Sequence, residues 1–519
     1  VSVFENEIRG DNMDNMKISK AGLAGTTFLT LCATPVVGAP ADRPNILFIL
    51  VDDMGWREPG CYGHPTMQTP NIDRLASEGV RFTHMQVYPM CSPTRAALLT
   101  GRHGYRTGII NNIGDKGGVG QRVELEEITI AEALKPAGYR TGFFGKTHLT
   151  FDNRGEPDYI NKQGFDENFG FVGLRADEMP PGEKGNGDST AAGTLYFRWD
   201  IPFYHNGQPV AMSPESRKYS DDVITSEAVN FITNTSKQPF LAWVSMYLVH
   251  APHEIETDYL EKIPMDDTLR QEFAEIIRLN HIFAKDFSQP GLAKWSVDNV
   301  GLLEKYRTYK AMVMRTDDQV GRLLDALDKA GVAENTLIVF MSDNGPHPIA
   351  GGGKAAVIDA GTRVPLIMRW PGQIRPGIVS DALAMSVDIY PTLVEAASAQ
   401  MPEGIIFDGK SLLPVLRGEV GKVHDYTYSE KKGWMGFSDH DWYYATFAGT
   451  KNKDKFYRRL TPPDVSQSAE DIKNVPLDVK EKFQKWADEV RAIREETLRP
   501  YLEQLKNNPH SGKGGEISQ

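Results

Sequence analysis

The chain has 519 residues, 40% of them apolar, a formal net charge of −12 and three cysteines. Its length allows a large buried core, in two domains or in one large α/β domain with an appendage, and its composition is that of an ordinary soluble globular protein. The acidic balance, with no long basic run, argues against a nucleic-acid binder, and the cysteine count excludes a disulfide-built scaffold.

Lys17 and Lys20 precede a small apolar stretch, AGLAGTTFLTLCATPVV, which is short for a bilayer span. Val37-Gly38-Ala39 loosely fits an export-cleavage site, so residues 1–39 read as a signal peptide, with Met13 or Met16 a more normal start than Val1. Leu31 is too large for the residue before a lipoprotein cysteine at Cys32. A retained anchor and a buried N-terminal helix are the other readings. The expected location is periplasmic or secreted, with no stable membrane insertion after cleavage. After cleavage only Cys61 and Cys91 remain, so at most one disulfide is available.

Five apolar runs have the length and β-branching of buried parallel strands: NILFILV ending at Val51, TGFFG at Gly145, FLAWVSMYLV at Val249, NTLIVFMS at Ser342 and VPLIMRW at Trp370. Helical patterns lie between them: TPNIDRLASEG, ITIAEALKPAG, SDDVITSEAVNFITN and the long LLEKYRTYKAMVMRTDDQVGRLLDALDKAG. This alternation predicts an α/β sheet flanked by helices. Residues 171–235 and 252–300 read as long surface excursions that shape a pocket. Beyond about residue 420, DWYYATFAG reads as a strand. Val479, Phe483, Trp486, Val490 and Ile493 form one apolar helical stripe, and residues 505–519 read as frayed. The expected domains are 40–420, catalytic, and 421–519, a C-terminal subdomain.

Charged and polar residues follow the strands: Asp52-Asp53, Lys146 and His148, His250, and Asp343-Asn344. Ligands of open α/β sheets bind at those carboxyl ends. Four oxygen donors suggest a hard cation, Ca²⁺ or Mg²⁺, although an Asp-Asn-Gly run is also good turn chemistry. Taken alone, Lys-x-His can be surface chance, and a lone histidine is more often a satisfied core residue.

In YPMCSPTRAALLTGR, Ser92 suits an N-cap, Pro93 the first helical position and Gly101 the helix end. Cys91 then stands just before a helix N-terminus, which favours an anion, with Arg95 one turn on. A thiolate would accept that position. It would be a poor companion for a hard ion.

CSPTRAALLTGR closely resembles the type I sulfatase signature. RPNILFILVDDMG, TPNIDRLASEGVRFTH, AGYRTGFFGKTHL, LVHAPH, IVFMSDNGPH, GGGKAAVIDAGTRVPLIMRWPG and SVDIYPTLVEAA resemble the rest of that family in order, over about residues 43–415. The resemblance implies an alkaline-phosphatase-like, mixed and mostly parallel sheet flanked by helices, with a smaller C-terminal α+β subdomain. It implies that Cys91 is converted to Cα-formylglycine by a formylglycine-generating enzyme, and that Asp52, Asp53, Asp343 and Asn344 hold Ca²⁺ with residue 91. It also implies that Arg95, Lys146 and Lys354 neutralise the sulfuryl oxygens. His250 or Lys354 protonates the leaving alcohol, and His148 deprotonates the second hydroxyl of the hydrated aldehyde. His253 and His347 are expected to face the substrate, and Cys61 to be inert.

The implied activity is hydrolysis of a sulfate ester of a carbohydrate or a phenol. A phosphodiesterase or phosphonate monoester hydrolase of the same superfamily is the alternative. Thr147, where tryptophan is common, and DAGTR at 359–363, in place of E-G-G-x-R, depart from the family pattern and bear on substrate choice. The particular ester, the sugar position and the oligomeric state stay open.

Overall fold

The computed structural model describes residues 43–113, 120, 122–150, 156–171, 174–175, 194–195, 203–210, 218–286, 292–448, 450–459 and 473–507. The chain divides into two units, 1–41 and 42–519. The first, with the expected signal peptide and Cys32, lies outside the described residues, as do 508–519 of the expected frayed end.

The strands of the second unit are β1 Asn45–Val51, β2 Val80–Gln86, β3 Arg140–Gly145, β4 Glu167–Phe171, β5 Leu174–Arg175, β6 Thr194–Leu195, β7 Phe203–His205, β8 Gln208–Pro209, β9 Phe240–Ser245, β10 Thr336–Ser342, β11 Arg363–Arg369 and β12 Ile378–Met385. The main sheet runs β12-β2-β11-β10-β1-β9-β3-β4-β7-β8, and β5 pairs with β6 separately. Its centre, β10-β1-β9-β3-β4, is parallel. VPLIMRW departs from the parallel expectation: as β11 it runs antiparallel to both β10 and β2.

Every residue of β1 is buried, which explains its unbroken apolar run. Ile46, Phe48 and Leu50 face one core, shared with Leu98, Ile130 and Leu393. Leu47, Ile49 and Val51 face the other, shared with Ile72, Ile224 and Val313. Helices Pro70–Ser77, Ser220–Thr235 and Val300–Lys329 cover that second face.

Sequence and structure differ at several elements. The FLAWVSMYLV strand stops at Ser245, not Val249, because the Tyr247 and Leu248 amides donate to Asp221 Oδ1 instead of to a neighbouring strand. SDDVITSEAVNFITN is the expected helix, Ser220–Thr235, but the 252–300 excursion also contains the 20-residue helix Asp267–Asp286. The latter is tied to the long helix by Lys310 Nζ on Glu272 Oε2 at 2.5 Å. A third sheet, β13 Thr427–Lys431, β14 Trp434–Ser438, β15 Trp442–Phe447 and β16 Thr450–Arg458, is antiparallel in that order. Helix Leu477–Asn507 closes it through Val479, Phe483 and Val490, which pack with Phe437, Tyr444 and Phe456. Ile493 falls outside that buried stripe, 39% exposed.

Candidate active site

The parallel register sets Val51 beside Ser342, so Asp52-Asp53 and Asp343-Asn344 leave adjacent strand ends together. Asp343 N–H donates to Val51 O at 3.0 Å, and Met54 N–H to Ser342 Oγ at 3.0 Å. Asp53 holds a left-handed backbone, φ 66°, uncommon for a non-glycine residue and typical of functional turns.

The Cys91 helix runs Cys91–Thr100 and ends on Gly101, φ 66°. Its start differs from the sequence reading: Cys91 is itself the first helical residue, and Met90 occupies the cap position without a capping side chain. Ser92 does not cap. Its N–H donates to Asn112 Oδ1 at 3.2 Å, and its Oγ accepts from Ile113 N–H at 3.2 Å. A side chain from another loop thus does what a local cap was expected to do.

Arg95, one turn on, reaches Asp343 Oδ2 with Nε at 2.9 Å and with its second terminal nitrogen at 2.8 Å, and the latter lies 3.5 Å from Asp52 Oδ2. Its other terminal nitrogen donates to Ser245 Oγ at 2.5 Å and Lys146 O at 2.9 Å. Lys146 is presented by Gly145, φ 108°, where an added Cβ would meet Ser245 O at 1.9 Å. Lys146 Nζ binds Asp52 Oδ2 and lies 3.6 Å from Cys91 Sγ. Lys354 Nζ binds Asp53 at 2.6 and 2.7 Å. Its loop is held by Ala355 N–H on Pro89 O at 2.8 Å, and by Lys431 Nζ, from β13, on Ala355 O at 2.9 Å.

Cys91 Sγ lies 3.4 Å from Asp52 Oδ1, and one ligand atom from each of Asp52, Asp53, Cys91 and His250 falls within 4.8 Å of the others. Asp52, Asp53, Cys91, Arg95, Lys146, His250, Asp343, Asn344 and Lys354 therefore gather around the carboxyl ends of β10, β1, β9 and β3. His148 joins them electrostatically through Lys146, Arg95 and Asp52. His250 sits five residues past its strand, with Nδ1 2.5 Å from Ala251 O and Nε2 3.9 Å from Asp53 Oδ2. A carbonyl only accepts, so Nδ1 carries the proton and Nε2 faces the carboxylates. His253 and His347 meet ring to ring at 5.3 Å, and His253 packs on Tyr309, whose hydroxyl donates to Asp53 O at 3.2 Å. Cys61 and Cys91 are both free thiols.

Three carboxylates, Asp52, Asp53 and Asp343, are fully buried against Arg95, Lys146 and Lys354. Each contact at such range is worth ~4 kcal/mol at an effective dielectric near 20. Burial raises the Asp52 pKa, but Lys146, His250, Arg95 and Lys354 outweigh it and hold it well below the carboxylate range. At Asp343, burial and the Asp52 charge push the pKa up to about 6 against Arg95. Burial, then Asp343 and Asp52, push the Cys91 thiol well up, so the unmodified side chain is a neutral thiol rather than a thiolate. Burial lowers both histidines, helped by Lys146 at His148 and by Lys354 at His250, leaving neutral imidazoles.

The donor set fits a hard divalent ion. Asp52, Asp53, Asp343 and Asn344 offer only oxygen ligands, wholly buried. Asn344 Nδ2 donates to Asp53 Oδ1 at 2.7 Å, and its buried amide oxygen has no hydrogen-bond partner among the described residues, so that oxygen is left for a ligand. Sequence reasoning missed Ser245, whose signal is a polar residue inside a buried apolar run, and Ser342 and Tyr309, which carry no motif.

Acids, cations and Cys91 meet at the central strand ends of an α/β sheet, where such folds bind their ligands, and the cations suit an anionic one. The Sulfatase family model matches residues 44–399, and that of the N-sulphoglucosamine sulphohydrolase C-terminal region matches 353–474. The chain therefore belongs to the sulfatase family, of the type I, alkaline-phosphatase-like kind, and is a sulfuric ester hydrolase. Human steryl-sulfatase is 30% identical over 431 residues, 73% of this chain and 70% of that protein. Human arylsulfatase G is 30% identical over 464 residues, 81% and 78% respectively. Among solved structures, Ps i-CgsB, also solved with k-i-k-neocarrahexaose, has a TM-score of 0.65 at 25% identity, covering 90% of this chain and 100% of that one. A protein solved with its substrate D-glucosamine-2-N,6-O-disulfate shares the fold at a TM-score of 0.61 and 23% identity, covering 91% and 100%. No described helix is long and apolar enough to cross a membrane.

Proposed function

We propose that this sulfatase cleaves the sulfate ester of a carbohydrate or a phenol, with Cα-formylglycine at position 91 and Ca²⁺ held by Asp52, Asp53, Asp343 and Asn344. The observation that carries this reading is the convergence of Cys91 with three buried carboxylates, the buried cations Arg95 and Lys146 and the partly buried Lys354 at the strand ends. The neutral thiol supports it, because a buried protonated sulfur is a poor nucleophile at this place. Conversion requires a formylglycine-generating enzyme acting before the helix start is buried. Residues 1–39 then serve as an export signal, 40–420 as the catalytic part and 421–519 as the C-terminal subdomain, with the product periplasmic or secreted.

When bound, the divalent ion supplies positive charge that lowers the pKa of the hydrated aldehyde at neutral pH. The chain does the rest. Lys146, Arg95 and Lys354 surround position 91 with fixed positive charge that binds and polarises the sulfuryl oxygens, without reorganising at the moment of reaction. The anionic ester raises the depressed pKa of His250, whose Nε2 faces the site. His250 or Lys354 then supplies a proton to the leaving oxygen. His148 keeps a neutral ring with a buried Nδ1 that has no partner among the described residues, so it is ready to take a proton from the oxygen at position 91.

The test compares 4-nitrophenyl sulfate with 4-nitrophenyl phosphate and its phosphodiester on one purified sample. The sulfate ester is expected to be turned over at least about 10²-fold more efficiently, and chelation is expected to abolish the activity until Ca²⁺ is returned. Preference for a phosphate ester would favour the phosphodiesterase or phosphonate hydrolase reading. Full activity after exhaustive chelation would remove the metal from the account.

A further inference from the structure

β9 ends at Ser245, yet His250 reaches the carboxylate cluster five residues later. That irregular segment is held from two sides. On one, β1 takes it as an extension of the sheet: Met246 N–H donates to Leu50 O at 2.8 Å, Asp52 N–H to Leu248 O at 2.8 Å and Val249 N–H to Asp52 O at 2.7 Å. On the other stands Asp221, wholly buried in the first turn of helix Ser220–Thr235. Its Oδ1 accepts from Tyr247 N–H at 2.7 Å and Leu248 N–H at 3.3 Å, and its Oδ2 accepts from Ser220 Oγ at 3.0 Å. The turn is completed by His250 N–H on Tyr247 O at 2.9 Å.

An acid in a first helical turn usually serves its own helix dipole. Here the carboxylate oxygen is spent on two amides of another segment, and that helix has no side-chain cap. The helix is itself fixed, with Tyr219 Oη donating to Glu254 O at 3.0 Å and Arg315 bridging Asp222 at 2.6 Å.

We propose that Asp221 is a positioning residue for the sulfatase reaction: by holding the Tyr247 and Leu248 amides it sets His250 against the leaving oxygen. This rests on the reading of His250 as a donor to that oxygen. A misplaced donor matters most when the leaving group is poor, because a good one departs without a proton.

Asp221→Ala is expected to lower kcat for phenyl sulfate about tenfold more than kcat for 4-nitrophenyl sulfate. His250→Ala should show the same signature, larger, and the double variant should lose no more than His250→Ala alone, as residues acting through one another do. Asp221→Asn, which keeps an acceptor oxygen, should restore both rates to within a few-fold of the parent. Independently of activity, amide hydrogen exchange of the peptide spanning Met246–His250 should rise about tenfold or more in Asp221→Ala, while β1 stays protected. If Asp221→Ala does not accumulate, Asp221→Ser, whose shorter oxygen cannot serve both amides, takes the same measurements.

Equal losses on both esters, an additive double variant, or unchanged exchange at Met246–His250 would overturn the proposal. If His250→Ala itself loses both esters equally, the donor role of His250 falls, and with it this proposal's catalytic half. Unchanged exchange with His250→Ala still selective sinks Asp221 alone.

Discussion

Ser245 shows how much one hydroxyl can carry. It accepts from Arg95 at 2.5 Å and donates to Lys146 O at 2.7 Å, joining the cation from the Cys91 helix to the strand end that presents the second cation. A hydrogen bond to a charged partner is worth about 1.5–3 kcal/mol. Ser245→Ala should therefore lower kcat/KM about tenfold or more while leaving the melting temperature within a few degrees, because Arg95 keeps Asp343 and Lys146 O. Steady-state kinetics beside a thermal melt checks this, and unchanged kinetics would show that Arg95 needs no such support. At this scale the site was largely legible: the paired acids, Lys146 and the Cys-x-Pro-x-Arg run stand at strand or helix ends, where chemistry is presented, while His250 and Lys354 lie in loops beyond them. Ser245 and Asp221 were not, because each acts through contacts made with residues far away in sequence. Ser92 was misread for the same reason, its capping role having passed to Asn112.

Between elements, Asp359 of the DAGTR run makes a structural link. Asp359 accepts from Gln86 Nε2 at 2.7 Å, faces Arg363 at 3.3 Å and pairs with Arg459 at 2.6 Å, so it joins the main sheet to the end of the C-terminal sheet. Burial raises its pKa, but Arg459 and Arg363 outweigh burial and bring it to about 2. A depressed carboxylate contributes stability above its ordinary pKa near 4 and loses it as pH falls from there through about 2; the contribution is on the order of 2 kcal/mol. Asp359→Asn should be less stable than the parent by about 3 kcal/mol at pH 7, since two buried arginines lose their partner. That gap should narrow between pH 4 and 2 in denaturant titrations. A gap independent of pH would show that the ion pair does not hold the two sheets together. The strand ends at Val51, Gly145 and Ser342 were legible as apolar runs stopping at polar residues. The end of β9 was not, because MYLV stays apolar after its pairing with β3 has stopped. Helix Asp267–Asp286 was hidden in a polar stretch that packs by a few residues, Leu269, Phe273 and Ile277 among them.

For the whole molecule, an acidic protein of net charge −12 concentrates three cations where its central parallel strands end. The fold makes this affordable by burying apolar residues on both faces of the sheet, so that the polar cluster sits at its edge, as open α/β sheets favour. The family assignment was legible because the motifs fall in order along the chain, whereas the substrate depends on loops whose pattern does not repeat. What the arrangement requires above all is oxygen at position 91. The most direct measurement is mass spectrometry of the tryptic peptide Phe82–Arg95 from a sample of known specific activity. A species that has lost one sulfur and two hydrogens and gained one oxygen is expected, in a fraction that rises in proportion to activity. Full activity from protein whose Cys91 is wholly unmodified would contradict that requirement.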